Sequence, residues 1–105
     1  MNKIIHDEAA LTYDDIQLYP LFSDVASRSS IDTSVVLDKE RNIVLRVPII
    51  ASPMETVCEA SMAIAMGKLG GLGIIHRFMT IDDQAKQMLE AFKYTDIVGV
   101  AVGVK

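Results

Sequence analysis

The sequence predicts an α/β fold built on a parallel sheet, and two observations support that prediction. Apolar runs start at Val47, Leu72 and Ile97, with 25 residues between successive starts (72−47 and 97−72). Few polar residues interrupt these runs, as expected of strands that are buried on both faces. Helical patterns fill both intervals, which gives a strand–helix–strand–helix–strand order. This spacing leaves a doubly wound sheet and a barrel both open.

The composition indicates a folded chain and argues against several classes of partner. The 105 residues are 50% hydrophobic and carry a net charge of −4, unlike a disordered tail. No apolar run reaches the ~18 residues of a membrane span, and no Lys or Arg cluster favours nucleic acid. Residues 1–8 reach acidic side chains before any apolar stretch is as long as that of a signal peptide. The single cysteine excludes internal disulfides. We therefore expect a cytoplasmic protein whose partners include neither nucleic acid nor a membrane.

Residues 1–46 are more polar and less regular in pattern than residues 47–105, so we treat them as an N-terminal extension. Their apolar stretches are short and are broken by Asp, Ser and Pro. Two runs rich in β-branched residues, 33–37 and 43–47, flank the polar segment 38–42. This pattern predicts a β-hairpin with a five-residue loop.

Cap signals predict where the two helices begin and end. For the first helix, Thr56 is predicted as the N-cap, with Glu59 reaching back to its amide in a capping box. That helix should end at Gly70, where glycine can adopt the left-handed conformation. Thr80 is predicted to start the second helix, whose apolar residues recur at helical spacing. The third strand is predicted over residues 97–104.

A barrel of eight such units needs roughly 250 residues, whereas this sequence stops just after its third predicted strand. Such a piece would leave a sheet edge and apolar surface uncovered. We therefore expect a portion of a larger barrel; the alternative is a complete small three-stranded domain.

The candidate functional residues follow the predicted strands, because α/β folds place their active sites at the carboxyl ends of strands. Ser52 can donate a hydrogen bond, and Met54 offers a soft apolar contact for a planar ring. Arg77 can bind a phosphate or carboxylate, and His76 can act as an acid or base. Glycines in 99–103 would permit close approach of a ligand. The structural alternatives are a capped turn, a histidine satisfied by backbone, and glycines that serve packing.

The single cysteine, Cys58, is not predicted to be catalytic. A thiol in the first turn of a helix can have a lowered pKa, but no second chemical group stands near it in the sequence. The spacing of the two histidines and this cysteine does not match a metal site.

Several segments in collinear order carry a family pattern. They include LTYDDI at 11–16, VPIIASPMETV at 47–57, GGLGIIHR at 70–77 and VGVAVGV at 98–104. Together they resemble the IMP dehydrogenase/GMP reductase family over nearly the whole chain. The resemblance implies a (β/α)8 TIM barrel, usually a homotetramer, with a purine nucleotide as substrate. Residues 47–105 would hold the first three strands and two helices of that barrel.

The resemblance also implies the chemistry. IMP dehydrogenases oxidise IMP to XMP with NAD through a covalent intermediate on a cysteine, assisted by a potassium ion. GMP reductases use NADPH to convert GMP to IMP with loss of ammonia. The catalytic cysteine and the potassium site of the family belong to loops after residue 105, so this chain has no implied catalytic or metal-binding residue.

Four residues of the second half match binding positions of the family. Ser52 and Met54 would bind the purine nucleotide, with Met54 against the base. In GMP reductases a basic residue at the position of Arg77 approaches the dinucleotide, and His76 lies beside it in the same segment.

Four features bear on the subfamily. Residues 62–66 and 70–77 look like the dehydrogenase branch. No regulatory CBS pair separates the second helix from the third strand, which is typical of reductases and of a minority of dehydrogenases. Ser27 and Arg28 match a reductase segment that reaches the cofactor of a neighbouring subunit. Glu55 stands where the family usually has Asp. We expect an IMP dehydrogenase-like chain, with a GMP reductase or a non-catalytic truncated fragment as alternatives.

Overall fold

The computed structural model describes residues 9–104. Residues 1–8, on which the argument against a signal peptide rests, lie outside this range. The chain divides into two compact units, with the division between Ile31 and Asp32. Within its described residues, 9–31, the first unit contains two single-turn 3-10 helices, Tyr13–Asp15 and Arg28–Ser30.

The second unit begins with the predicted hairpin. Strands β1 (Val35–Asp38) and β2 (Ile43–Leu45) pair antiparallel, with Val35 opposite Leu45. The Asp38 carboxylate accepts hydrogen bonds from two backbone amides of the loop that follows it. Asn42 has a φ of 52°, a left-handed conformation that asparagine tolerates better than most residues. The prediction of a hairpin is confirmed.

A three-stranded parallel sheet follows, which confirms the predicted strand–helix–strand order. The strands are β3 (Ile50–Ala51), β4 (Leu72–Ile75) and β5 (Gly99–Val100), with β4 in the middle. Both pairings are parallel. Strand β5 is shorter than predicted, because β4 ends at Ile75 and the ladder gains only the hydrogen bond from the Ala101 amide to the Ile75 carbonyl (2.9 Å).

Helix α1 (Ala60–Leu69) does not begin where the sequence predicted. Its N-cap is Glu59, and the exposed Thr56 belongs to a preceding turn in which the Met54 carbonyl accepts two amide hydrogen bonds. The predicted capping box is therefore wrong. The helix does end at Gly70, whose φ of 93° lies in the left-handed region.

Helix α2 (Ile81–Phe92) begins as predicted. The Thr80 hydroxyl accepts a hydrogen bond from the Asp83 amide (3.1 Å) and donates one to the Asp83 carboxylate (2.7 Å). Asp82 and Asp83 also place negative charge in the first turn, where the helix dipole favours it.

Small residues let α1 and α2 pack closely on β4. The buried cluster consists of Cys58, Ala63, Ile75 and Ala91. A Cβ built on Gly73 of β4 would lie 2.5 Å from the Ala63 Cα, so helix and strand touch there through backbone. Among the described residues, no helix has both the length and the apolar character needed to cross a bilayer.

Candidate functional site

The carboxyl ends of the three parallel strands form one edge of the sheet, as expected for an α/β unit. Ser52 follows β3 directly, and His76 and Arg77 follow β4. Residues 101–103 follow β5 on the other side of β4. Three of the predicted site residues, Ser52, His76 and Arg77, therefore stand at this edge, and Met54 lies two residues after Ser52.

The turn after β3 presents Ser52 and Met54 to solvent. The Met54 amide donates to the Ser52 carbonyl (2.8 Å), and the Met54 carbonyl accepts from Val57 (2.9 Å) and Cys58 (3.1 Å). Pro53 supports the turn, because it cannot continue a central strand. With its backbone held in this way, Met54 keeps 54% of its surface exposed. The turn therefore offers an apolar thioether beside a hydroxyl.

His76 is buried and both of its ring nitrogens have protein partners. The Phe78 amide donates to Nδ1 (3.1 Å), so Nδ1 carries no proton and the proton resides on Nε2. Nε2 then donates to the Glu59 carboxylate (2.9 Å). This arrangement matches the alternative of a structurally satisfied histidine. Direct contact with a cofactor, which the resemblance implies, stays a prediction.

Glu59 links His76 to the start of α1. The hydrogen bond from His76, and after it one from Gln87, lower the pKa of the Glu59 carboxyl below its ordinary value. Gln87 in turn accepts a hydrogen bond from the Ala60 amide (2.6 Å). One carboxylate thus joins the end of β4, the start of α1 and the middle of α2.

Arg77 differs from His76 in being exposed. Its guanidinium carbon lies 5.5 Å from the centre of the Phe78 ring, within the range of a cation–π contact. Among residues 9–104, none of the ion pairs involves Arg77. Its Nη1 lies 2.9 Å from where a Cβ on Gly103 would stand. The absence of a side chain on Gly103 leaves room for the guanidinium, whose donors remain available to an anion.

Arg77 borders an open cavity of about 310 Å³ between the ends of β4 and β5. Its lining combines one cation with apolar and amide groups, namely Arg77, Met79, Ile81, Gln84, Ala101, Val102 and Gly103. Ser52 and Met54 are not among these residues. The sheet edge therefore carries two separate features, the turn after β3 and the cavity after β4.

Ser27 and Arg28 belong to the first unit. The Ser27 hydroxyl accepts from the Ser29 amide (3.3 Å) and caps the turn that begins at Arg28. Both residues are exposed.

Cys58 has the environment of a core residue. It is fully buried, and burial raises the pKa of its thiol. At neutral pH the thiol is therefore protonated and unsuited to nucleophilic attack. Within residues 9–104, no cluster of three or more His, Cys, Asp or Glu side chains could hold a metal ion.

Gln84 was not among the residues predicted from the sequence for this site. Its side-chain amide donates to the carbonyls of His76 (3.0 Å) and Ala101 (2.9 Å), at the ends of β4 and β5. One feature of the sequence could have indicated it. Gln84 is a neutral amide four residues after the Thr80 N-cap, at a helix position close to the sheet edge.

Comparisons with known proteins identify the family of the chain. The family model described as the IMP dehydrogenase/GMP reductase domain matches residues 10–98. Inosine-5'-monophosphate dehydrogenase from Nitrosopumilus maritimus is 49% identical over 76% of this chain and 16% of its own length. GMP reductase from Leishmania donovani is 51% identical over 70% of this chain and 15% of its own length.

A solved structure is similar to this chain in both sequence and fold. GMP reductase from Trypanosoma brucei, in complex with guanosine 5'-triphosphate, is 46% identical with a TM-score of 0.70. The match covers 77% of this chain and 19% of that one. The chain thus spans about a sixth of the length of the curated relatives described above. With a family model matched over most of its residues, the chain belongs to the IMP dehydrogenase/GMP reductase family.

Proposed function

We propose that this chain is the N-terminal part of an IMP dehydrogenase-like oxidoreductase, which converts IMP to XMP with NAD. In that reaction IMP, NAD and water give XMP, NADH and a proton. The parallel strands would form the first three of a (β/α)8 barrel. The nucleophilic cysteine implied by the family belongs to a later loop, so the residues on this chain bind ligands and do not react with them.

The observation that carries the proposal is the guanidinium of Arg77 at the carboxyl edge of the sheet. It is exposed, it takes part in none of the ion pairs of the described residues, and its Nη1 lies 2.9 Å from where a Cβ on Gly103 would stand. Guanidinium groups bind phosphate oxygens through paired hydrogen bonds. A dinucleotide pyrophosphate satisfies those donors, and this fits NAD as the cofactor.

The turn after β3 supports a purine nucleotide at the same edge. Met54 offers a polarizable thioether with half of its surface free, which suits the face of a purine ring. The neighbouring Ser52 hydroxyl supplies a hydrogen bond to a ribose or phosphate oxygen. When bound, NAD supplies the hydride acceptor, while these residues orient the nucleotide.

A GMP reductase is the second candidate, and two of the similar proteins favour it. The Leishmania and Trypanosoma proteins described above carry that name at 51% and 46% identity. Such an enzyme would oxidise NADPH while it removes ammonia from GMP.

The test uses the protein in its native form, after its intact mass has been measured. Formation of XMP and NADH from IMP and NAD is the expected result. Oxidation of NADPH with GMP, without turnover of IMP, would instead establish the reductase. Binding of NAD without either activity would identify a non-catalytic fragment. A protein that neither binds NAD nor shows either activity would contradict the proposal.

A pair of arginine variants tests the role of Arg77. Arg77→Met should weaken NAD binding by about tenfold, equivalent to one charge-assisted hydrogen bond. Arg41→Met is the control, because Arg41 is an exposed arginine paired with Asp38 in the hairpin loop. Equal NAD affinities in the two variants would remove Arg77 from the site.

A further inference from the structure

One side chain joins the two strand ends that border the cavity. The Nε2 of Gln84 donates to the His76 carbonyl at 3.0 Å and to the Ala101 carbonyl at 2.9 Å. Because both partners are acceptors, only the nitrogen end of the amide fits between them. The assignment of the amide orientation therefore follows from its partners.

These two bonds lie at the place where the sheet ladder stops. The last paired residues of β4 and β5 are Ile75 and Val100, followed by the hydrogen bond from the Ala101 amide to the Ile75 carbonyl. Beyond it, the carbonyls of His76 and Ala101 need other donors. The amide of Gln84 supplies both, so it continues the connection between the strands for one more residue.

The residues placed by this connection are those of the cavity. Arg77 follows His76 directly, and Gly103 stands two residues after Ala101. The Arg77 guanidinium lies where a side chain on Gly103 would be. The distance between the ends of β4 and β5 therefore sets the distance between the Arg77 guanidinium and the Gly103 backbone.

We propose that Gln84 is a positioning residue, which holds the ends of β4 and β5 together so that Arg77 and Gly103 form one binding surface. The inference rests on the proposed function for the role of that surface in dinucleotide binding. Gln84 itself needs no contact with the ligand. Its effect is transmitted through two backbone carbonyls.

The chemistry of the position requires an amide. A carboxylate would place negative oxygen against two carbonyl oxygens, and a thioether would leave both carbonyls without a donor. A primary amide presents two N–H groups in one plane and carries no charge. The position of Gln84 in the first turn of α2, anchored by its backbone bond to Thr80 (3.0 Å), brings that amide to the strand ends.

The chain offers a matched control on the same helix. Gln87 is also half-buried and hydrogen-bonded, but its partners, the Glu59 carboxylate and the Ala60 amide, both lie at the start of α1. We would compare Gln84→Met with Gln87→Met by thermal unfolding and by titration with NAD. Both variants should lose stability, whereas only Gln84→Met should lose NAD affinity, by about tenfold.

An equal change in NAD affinity for the two variants would reduce Gln84 to a structural role and overturn the proposal. An NMR measurement on the unmodified chain adds a readout that does not need a ligand or a variant. Hydrogen-bond couplings from the Gln84 side-chain nitrogen to the carbonyl carbons of His76 and Ala101 are expected. Their absence would also overturn the proposal.

The same spectra separate this inference from the proposed function. If the unmodified chain does not bind NAD, the proposed function fails. The positioning role is then judged by the amide resonance of Gly103 and the side-chain resonance of Arg77. Both should shift more in Gln84→Met, which removes a direct bond to the ends of β4 and β5, than in Gln87→Met, whose bonds are to the start of α1. Unshifted resonances in Gln84→Met would contradict the inference on their own.

Discussion

The imidazole of His76 donates to the carboxylate of Glu59 across 2.9 Å, although 17 residues separate them in the chain. The imidazole is 2% exposed and the carboxylate 49%. The bond therefore has one end in the core and the other at the surface. It connects the end of β4 to the N-cap of α1. The position of α1 against β4 therefore depends on the ionisation of the Glu59 carboxyl.

This pair predicts a dependence of stability on acid. Because the pKa of Glu59 is lowered on folding, the stability it contributes is present above its ordinary pKa of 4.5 and is lost as pH falls through the lower folded value. Below pH 4.5, the free energy of unfolding should fall more steeply in the unmodified chain than in Glu59→Gln. Denaturant titrations at several pH values measure this, with Glu55→Gln as the control. Parallel curves for the unmodified chain and Glu59→Gln would contradict the prediction.

The two threonines that precede the helices should differ in their effect on stability. Thr80→Ala removes a side-chain cap and should lower the free energy of unfolding by about 1 kcal/mol. Thr56→Ala changes an exposed turn and should stay within about 0.5 kcal/mol of the unmodified chain. Chemical denaturation of both variants measures the difference. A larger loss in Thr56→Ala would restore the capping box as a feature of the folded chain.

Gly73 should tolerate no side chain. A Cβ there would lie 2.5 Å from the Ala63 Cα and 3.0 Å from the Cys58 sulfur. Because backbone must move to admit it, Gly73→Ala should lower the free energy of unfolding by about 3 kcal/mol. Gly99→Ala is the control, since its nearest contact is a side-chain carbon of Ile74 at 3.0 Å. Equal melting temperatures for the two variants would contradict this prediction, because α1 could then move away from β4 at little cost in free energy.

Met54 should matter more for binding than for folding. Truncation in Met54→Ala removes apolar surface that is half exposed, so the melting temperature should change little. IMP affinity should fall by about tenfold, as expected for the loss of one apolar contact with a base. Met62→Ala, at a residue that is 40% exposed on α1, is the control in the same calorimetric titration. Unchanged IMP affinity in Met54→Ala would exclude the assigned contact.

Local patterns predicted much of the fold, and contacts between distant residues explain what they missed. The glycine at position 70 and the threonine at position 80 mark helix ends through their own conformation or hydroxyl, so the sequence shows them directly. The capping box failed because Glu59 is engaged by His76, which no local pattern reveals. Strand β5 was predicted too long because an apolar run continues past the end of its partner.

The sequence showed where the candidate residues lie relative to the strands, and their roles in binding stay predictions. Strand ends are visible in the sequence, and so are the residues that follow them, which is why Arg77 and Met54 were found. Burial was not visible, and it separates the exposed Arg77 from the enclosed His76 beside it. Gln84 escaped notice because its two partners are backbone carbonyls, which have no signature in a sequence.

The position of β4 between two strands sets a hierarchy of local opening events. Its amides and carbonyls are paired with β3 on one side and β5 on the other, and both helices cover it. Breaking β3 or β5 away disrupts a single ladder of two residue pairs, whereas freeing β4 dismantles both ladders at once. Backbone amides of β4 should therefore exchange with solvent deuterium only through global unfolding, after those of its neighbours have already exchanged.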